Sequence, residues 1–145
     1  TIGHSAGGHL AIWTAFEARR RALPGVGRIS AAVGLAPVVD LVAAHQEDLG
    51  KSAAAAFLGG SPAEHPDRSR AASPRAMLPG GVRHAIIHGT ADDYVPLAAS
   101  RAYTSAARTA GDDITLLEVT GGGHMDHLDP ASPAHAALVR WLEGK

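Results

Sequence analysis

The chain has 145 residues, of which 46% are hydrophobic and 19% are charged, a composition typical of one soluble globular domain. Its net charge of −1 argues against nucleic acid or an anionic membrane surface as a partner, and no apolar run approaches the roughly 18 residues that would span a membrane. The sequence has no cysteine, which excludes disulfides, cysteine-based metal sites and a thiol nucleophile.

The first predicted elements are a helix and a strand. Residues 7–22 are predicted to be helical because apolar side chains recur there at near-helical spacing (Leu10, Trp13 and Phe16). Leu23-Pro24-Gly25 is expected to end this helix. The branched, apolar run 29–35 predicts a buried strand.

The next segment, residues 37–80, is less regular. Residues 41–42 and 53–58 suggest short helices within it. Its prolines are expected to break any long helix (Pro62, Pro66, Pro74 and Pro79).

Regular alternation returns in the last third of the chain. Residues 84–88 and 114–119 predict strands, and Pro96 is expected to open a helix that runs to about Ala110. Ser132 is expected to cap a final helix whose apolar face is formed by Leu138, Trp141 and Leu142. Strands that alternate with helices predict a parallel sheet covered on both faces.

The first eight residues contain the pattern Gly-x-Ser-x-Gly, with Ser5 between Gly3 and Gly7. This pattern is typical of a nucleophile elbow, a sharp strand-to-helix turn that exposes a serine. A serine hydroxyl is a weak nucleophile that must reach a base, so we expect Ser5 in a strained backbone conformation. The two glycines are expected to remove side chains that would collide there. A chain this rich in glycine would contain the pentapeptide by chance about one time in eight, so the prediction depends on further motifs.

Two further motifs follow strands downstream of Ser5. An apolar run ends in His88-Gly89-Thr90-Ala91-Asp92, and a glycine-rich turn ends in His124. The order serine, acid, histidine is that of the α/β-hydrolase triad and differs from the orders in chymotrypsin and subtilisin. Asp93 competes with Asp92 for the role of the acid, whereas Asp40 is expected to start a helix.

Through these motifs, the chain resembles the C-terminal part of an α/β-hydrolase. It is most similar to the esterase/lipase branch that includes kynurenine-formamidase-like and feruloyl-esterase-like enzymes, through the segments 3–10, 88–92 and 122–126. The resemblance implies an α/β fold in which residues 1–145 form the C-terminal portion of one domain and 37–80 a candidate cap or insertion. It also favours Asp92 as the acid, because the family pattern His-Gly-x-x-Asp ends there.

The resemblance implies a serine hydrolase of the carboxylesterase class. Ser5 would attack a carboxylic ester to form an acyl-enzyme, His124 would act as the base and Asp92 would orient it, while the backbone N–H of Ala6 would bind the oxyanion. No cofactor is implied, and the partner is a small-molecule ester or amide. Two alternatives stay open, namely an amide hydrolase of arylformamidase or prolyl-oligopeptidase type and a non-catalytic relative used for binding.

The other histidines predict no separate site. The run His124-x-Asp126-His127-x-Asp129 looks superficially like a metal cluster, but adjacent positions followed by a proline rarely converge on one ion, so no metal site is predicted. His127 is expected to order its loop or to lie near the site. His4, His9 and His88 are interpreted as structural residues.

The family's upstream half, with its His-Gly-Gly oxyanion loop, has no counterpart in this sequence. We therefore expect the N-terminal half of the domain and the second oxyanion donor to lie upstream, in a longer open reading frame. A chain without that half is expected to be poorly stable because its sheet would expose an edge. Cytoplasmic localisation is expected, and the sequence leaves the oligomeric state open.

Overall fold

The computed structural model describes residues 1–21 and 29–144, in which strands and helices alternate. The strands are β1 (Ile2–His4), β2 (Ala31–Leu35), β3 (Arg83–Gly89) and β4 (Ile114–Val119). The α-helices are α1 (Ala6–Arg21), α2 (Leu41–Gln46), α3 (Ala53–Leu58), α4 (Pro66–Ala72), α5 (Leu97–Thr109) and α6 (Pro133–Leu142). Two 3₁₀ helices lie at Pro74–Met77 and His124–Leu128.

The four strands form one parallel sheet in the order β1-β2-β3-β4. The register aligns His4 with Leu35, Leu35 with Ile87, and Gly89 with Val119. The carboxyl ends of parallel strands lie at one edge of a sheet, where open α/β folds place their ligands. The segments that follow β1, β3 and β4 therefore start at this same edge.

Helices cover the sheet on both faces, as predicted. One core lies under α1 and α5, where Phe16 and Tyr103 pack with Ile86 of β3. The other lies under α6, where Trp141 packs with Ile87 of the same strand. Neighbouring residues of β3 thus point into opposite cores, as the alternation of side chains along a strand requires.

Segment 37–80 is an excursion of short helices at the carboxyl edge of the sheet. Asp40 caps α2 by accepting hydrogen bonds from Val42 N–H at 2.9 Å and Ala43 N–H at 3.2 Å, which confirms that it starts a helix. The excursion is tied to the body of the fold because the indole N–H of Trp13 donates to the Ala71 carbonyl at 2.8 Å.

Most predicted elements are confirmed, with three corrections. The prolines at 66 and 74 open helices rather than only breaking them, since the first helical position needs no N–H. Leu10 and Leu142, both predicted on the apolar faces of their helices, are about half exposed. Pro96 caps α5 and precedes its first residue.

The predicted end of the first helix at 23–25 lies outside the described residues. Ser132 caps α6 as predicted, accepting from His135 N–H at 3.0 Å. No helix within the described ranges is long and apolar enough to cross a membrane.

Candidate active site

Ser5 sits in a sharp turn between β1 and α1. Its φ of 54° lies in the left-handed region, so the predicted strain is confirmed, and such a conformation costs a residue with a side chain roughly 1–2 kcal/mol. The turn is held at both ends, because Ser5 N–H donates to the Leu35 carbonyl at 2.8 Å and the Ser5 carbonyl accepts from His9 N–H at 3.1 Å. The neighbouring β2 and the first turn of α1 therefore fix the strained residue.

The glycines around this turn are needed at positions that differ from those predicted. A Cβ on Gly3 would lie 2.0 Å from the carbonyl oxygen of Gly7, and one on Gly8 would lie 2.8 Å from Cβ of Pro37. A Cβ on Gly7 would meet no atom of the described residues within 4 Å. The expectation of a collision is thus correct for Gly3 and wrong for Gly7, and Gly8 takes its place.

Asp92 is held by hydrogen bonds to both carboxylate oxygens, and its side chain is fully buried. Oδ1 accepts from Val95 N–H at 2.8 Å and from Tyr94 N–H at 2.9 Å, while Oδ2 lies 2.7 Å from Nδ1 of His124. Burial by itself would raise the pKa of Asp92, but the hydrogen bonds from Val95, His124 and Tyr94 outweigh it and hold the pKa below its ordinary value. Asp92 is therefore ionised at neutral pH.

Asp93, the competing acid in the sequence, does not approach His124. It is exposed and makes no hydrogen bond or ion pair within residues 1–21 and 29–144. The structure thus brings Asp92 and not Asp93 together with the histidine, and Asp40 caps α2 elsewhere.

The His124 ring is fixed between its neighbours at the start of the second 3₁₀ helix. Because the Asp92 carboxylate accepts at Nδ1, that nitrogen carries a proton and Nε2 is left as the basic atom. The carbonyl of His124 accepts a hydrogen bond from Nε2–H of His4 at 2.8 Å, and the Tyr94 ring stacks on the imidazole at 5.2 Å. His124 is only 7% exposed, so it is shielded from bulk water.

The turns that carry Asp92 and His124 are bonded directly to each other. Ala91 N–H donates to the Gly122 carbonyl at 2.9 Å, and Gly121 N–H donates to the Thr90 hydroxyl at 2.9 Å. A Cβ on Gly89 would lie 2.0 Å from the Gly122 oxygen, so only glycine permits this approach. The contact explains how two residues 32 positions apart reach hydrogen-bonding distance.

A cavity of about 400 Å³ opens at this edge of the sheet. Ser5, Ala6 and His124 lie on its wall, and Ala6 is the first residue of α1, where backbone N–H groups have no intrahelical acceptor. The remaining lining is mostly apolar and comes largely from the excursion (Val38, Leu41, Ala44, Leu49, Gly50, Ala53, Ala54 and Phe57). Part of the predicted cap therefore forms one side of the cavity.

The carboxylates that looked like metal ligands have other partners. Asp126 accepts from Gly123 N–H at 2.9 Å and Asp129 from Ala131 N–H at 2.9 Å, so both stabilise turns. No group of three His, Cys, Asp or Glu side chains suited to a metal ion occurs within residues 1–21 and 29–144. His127 is buried, and neither ring nitrogen has a hydrogen-bond partner among the described residues. Its ring lies 5.9 Å from that of His4, so the residue lies near the site.

The sequence analysis interprets His88 as a structural residue, whereas the structure places its ring beside Asp92. Its ring is fully buried, and Nε2 lies 3.2 Å from Oδ2 of Asp92. Position 88 shares a strand face with Ile86, which places it under α5, and the acid follows four residues later. The four-residue spacing between His88 and Asp92 was the sequence signal that could have indicated this contact.

A comparison with protein-family models identifies the family of this chain. The model of the family BD-FAE matches residues 1–106, more than half of the chain. The chain belongs to the BD-FAE family. With this family it joins the esterase branch of the α/β-hydrolase superfamily, as the sequence motifs predicted.

Solved structures show the same fold for this BD-FAE chain. The thermophilic esterase Est2 of the Planctomycetes species Thermogutta terrifontis is 22% identical, with a TM-score of 0.67 over 99% of this chain and 52% of that chain. An acetyl ester-xyloside bifunctional hydrolase from Caldicellulosiruptor lactoaceticus is 23% identical, with a TM-score of 0.74 over 99% and 55%.

A third structure, EstE5 soaked with p-nitrophenyl butyrate, is 28% identical, with a TM-score of 0.71 over 99% of this chain and 50% of that chain. The BD-FAE chain thus spans about half the length of these structures. No curated protein matches it.

Proposed function

We propose that this chain carries the active site of a serine esterase that cleaves carboxylic esters through an acyl-enzyme. The observation that carries the proposal is the 2.7 Å hydrogen bond between Asp92 and Nδ1 of His124, on a cavity whose wall also holds Ser5. The bond fixes the tautomer that leaves Nε2 free to take a proton, which is the role of the acid in a serine triad. The family and the esterase neighbours support the reaction class.

The reaction would proceed in two halves. His124 Nε2 takes the proton of the Ser5 hydroxyl as its oxygen attacks the ester carbonyl, and the Asp92 carboxylate stabilises the resulting imidazolium. The protonated histidine then gives its proton to the departing alcohol, which leaves an acyl-Ser5. Water, deprotonated by His124, releases the acid and restores the serine.

The tetrahedral intermediate needs donors for its oxyanion, and Ala6 N–H is the proposed donor in this chain. It follows Ser5 directly and lies on the cavity wall. Removal of one such donor typically costs about 10²–10³ in rate. A backbone donor at the start of a helix is also fixed before the substrate arrives, so little reorganisation is needed.

The cavity supports an uncharged, largely apolar substrate group. Among the described residues, none that lines the cavity is Asp, Glu, Lys or Arg, and a charged acyl or alkoxy group would be desolvated there without a partner. Exposed apolar side chains on its wall, Leu10 and Phe57, can cover such a group.

The first test is covalent labelling of the full-length protein with a fluorophosphonate, read by intact mass. We expect one adduct that is lost in Ser5→Ala and kept in Ser105→Ala, which removes an exposed serine of α5. A second matched pair tests the acid. Asp92→Asn is expected to slow labelling by roughly 10⁴, as for the corresponding change in other triads, whereas Asp93→Asn leaves it unchanged.

A folded, full-length protein that forms no adduct on Ser5 would refute the proposal. That result would favour the non-catalytic relative predicted as an alternative.

Kinetic measurements on the same protein distinguish ester from amide hydrolysis. p-Nitrophenyl butyrate and N-butyryl-p-nitroanilide share an acyl group and differ in the leaving atom, so their kcat/KM ratio isolates the bond that is cleaved. We expect the ester to be preferred by several powers of ten. Amide hydrolysis is the second candidate because a putative dipeptidyl aminopeptidase IV from Bacteroides ovatus shares the fold, with a TM-score of 0.74 at 16% identity. Comparable rates on the anilide, or on N-formyl aryl amides, would favour it.

A further inference from the structure

The buried ring of His88 carries a proton on a nitrogen that its surroundings identify. Nε2 lies 3.0 Å from the Val95 carbonyl oxygen and 3.2 Å from Oδ2 of Asp92. A carbonyl and an ionised carboxylate only accept hydrogen bonds, so the hydrogen between them has to be on Nε2.

The other ring nitrogen of His88 is paired with a hydroxyl. Nδ1 lies 2.8 Å from Oγ of Ser100, a fully buried residue of α5. Burial lowers the pKa of His88, so the ring is neutral near pH 7 and Nδ1 has a lone pair that accepts the hydroxyl proton. The hydrogen bonds therefore run from the Ser100 hydroxyl to Nδ1 of His88 and from Nε2–H of His88 to the Val95 carbonyl, and Oδ2 of Asp92 lies 3.2 Å from the same Nε2.

The Nε2–H of His88 is the fourth group that surrounds the Asp92 carboxylate. Two backbone N–H groups, those of Tyr94 and Val95, occupy Oδ1. His124 Nδ1–H donates to Oδ2 at 2.7 Å, and Nε2 of His88 lies 3.2 Å from the same oxygen. A carboxylate has about four acceptor sites. Three of them accept hydrogen bonds, and the N–H of His88, which also donates to the Val95 carbonyl, lies beside the fourth, so the group cannot rotate without losing a partner. Of the four donors, His88 alone belongs to a strand of the sheet.

We propose that His88 is a positioning residue, which donates Nε2–H to Asp92 and thereby holds that carboxylate in the orientation that binds His124. The proposal rests on the proposed function, since the Asp92–His124 pair is the acid and base of that mechanism. It replaces the purely structural interpretation of His88.

Loss of the donor should change the reaction in a recognisable way. An Asp92 carboxylate with three donors keeps more negative charge towards His124, which favours the protonated imidazole. The acidic limb of the kcat/KM profile should therefore move to higher pH. The titratable groups around His88 are Asp92, His124, His127 and, on β4, Glu118. These groups remain in place in the variants below.

The test compares three variants of the full-length protein. His88→Leu removes both ring contacts, and we expect kcat to fall about ten-fold with KM within two-fold, the factor of one hydrogen bond to a charged group. His88→Gln keeps an N–H and an oxygen near the ring positions and should stay within three-fold of the wild type. His84→Leu is the matched control, since His84 is an equally buried histidine of the same strand that bonds to the Val82 carbonyl and Tyr103 instead.

The proposal is overturned if His88→Leu and His84→Leu give the same kcat and the same pH profile. It is also overturned if His88→Gln is as impaired as His88→Leu, since rescue by a donor would then be absent.

Nuclear magnetic resonance separates this proposal from the proposed function, because it needs no turnover. The ¹⁵N shifts of His88 should be those of a protonated Nε2 and an unprotonated Nδ1, and the downfield proton of His124 Nδ1–H should shift or broaden in His88→Leu. A protonated Nδ1 in the wild type, or a His124 proton unmoved by the substitution, would refute the role of His88 even in an active enzyme. A wild type that neither hydrolyses esters nor labels at Ser5 would instead refute the esterase, while these spectra still report on the Asp92 carboxylate.

Discussion

Alanine at Gly3 and alanine at Gly7 should change the stability of the protein in opposite directions. Both glycines belong to the Gly-x-Ser-x-Gly pattern, and sequence reasoning treats them alike. The structure separates them, because an alanine Cβ at position 3 would lie 2.0 Å from Gly7 O and 2.3 Å from Gly7 C, whereas at position 7 it would meet none of the described residues within 4 Å.

The magnitudes follow from these distances. An ordinary Cβ contact begins near 3.4 Å, so Gly3→Ala forces two backbone segments apart by more than an ångström, and no side-chain rotation relieves it. Overpacking typically costs about 1–3 kcal/mol and occasionally more, and we expect the upper end here. Gly7 lies in the first turn of α1, where alanine restricts the unfolded chain and should stabilise by about 0.4–1 kcal/mol.

Thermal unfolding of the two full-length variants measures this contrast. With about 2–4 °C per kcal/mol for a domain of more than 150 residues, Gly3→Ala should melt roughly 6–12 °C below the wild type and Gly7→Ala about 1–4 °C above it. Urea unfolding at 25 °C gives the free-energy difference independently of the heat-capacity change. Equal destabilisation by both substitutions would refute the collision argument, as would a Gly3→Ala protein that melts like the wild type.

Two further predictions concern buried histidine and the cavity. Burial lowers the pKa of His127 to about 4 from an ordinary 6.5, so the unfolded chain binds the proton more readily and stability is lost as the pH falls from about 6.5 towards 4, by at most about 3 kcal/mol. His127→Leu should flatten the pH dependence of the unfolding free energy in that window, and an unchanged slope would contradict the assignment. Ala54 is buried on the cavity wall, so Ala54→Trp should reduce kcat/KM for p-nitrophenyl butyrate at least ten-fold more than for the acetate, with Ala54→Ser as the small control. An equal loss on both esters would show that the cavity does not hold the acyl chain.

The sequence predicts the elements of this fold well where one local signal decides the structure. β4 occupies the run predicted for it, 114–119, and the polar caps Asp40 and Ser132 start helices as their side chains suggest. Proline predicts helix boundaries less well, because its missing N–H disrupts the interior of a helix but is compatible with its first position. The helices that begin at Pro66 and Pro74 were missed for this reason.

What the sequence cannot supply is distance between segments. The family pattern favours Asp92 over Asp93, but a one-dimensional pattern does not show which of two adjacent carboxylates reaches His124. The position of His88 beside Asp92 depends on the packing at the end of β3, and the four-residue spacing alone does not show that Nε2 lies 3.2 Å from the carboxylate. The exposure of Leu10 was likewise predicted wrongly from its helical spacing, because its side chain faces the cavity and not the core.

Because Gly89 and Gly122 touch in the turns after β3 and β4, the acid Asp92 and the base His124 have to be inherited together. Gly89 and Gly122 touch through their backbones, and the turns exchange further hydrogen bonds through Thr90 and Ala91. A recombination breakpoint between residues 58 and 83 would transfer this pair whole into another member of the family. A breakpoint between 91 and 121 would join two turns from different parents. A side chain at position 89, whose Cβ would lie 2.0 Å from the Gly122 carbonyl oxygen, would push the turn of the histidine away from that of its acid. Chimeras should therefore keep an intact pair only when both turns come from the same parent.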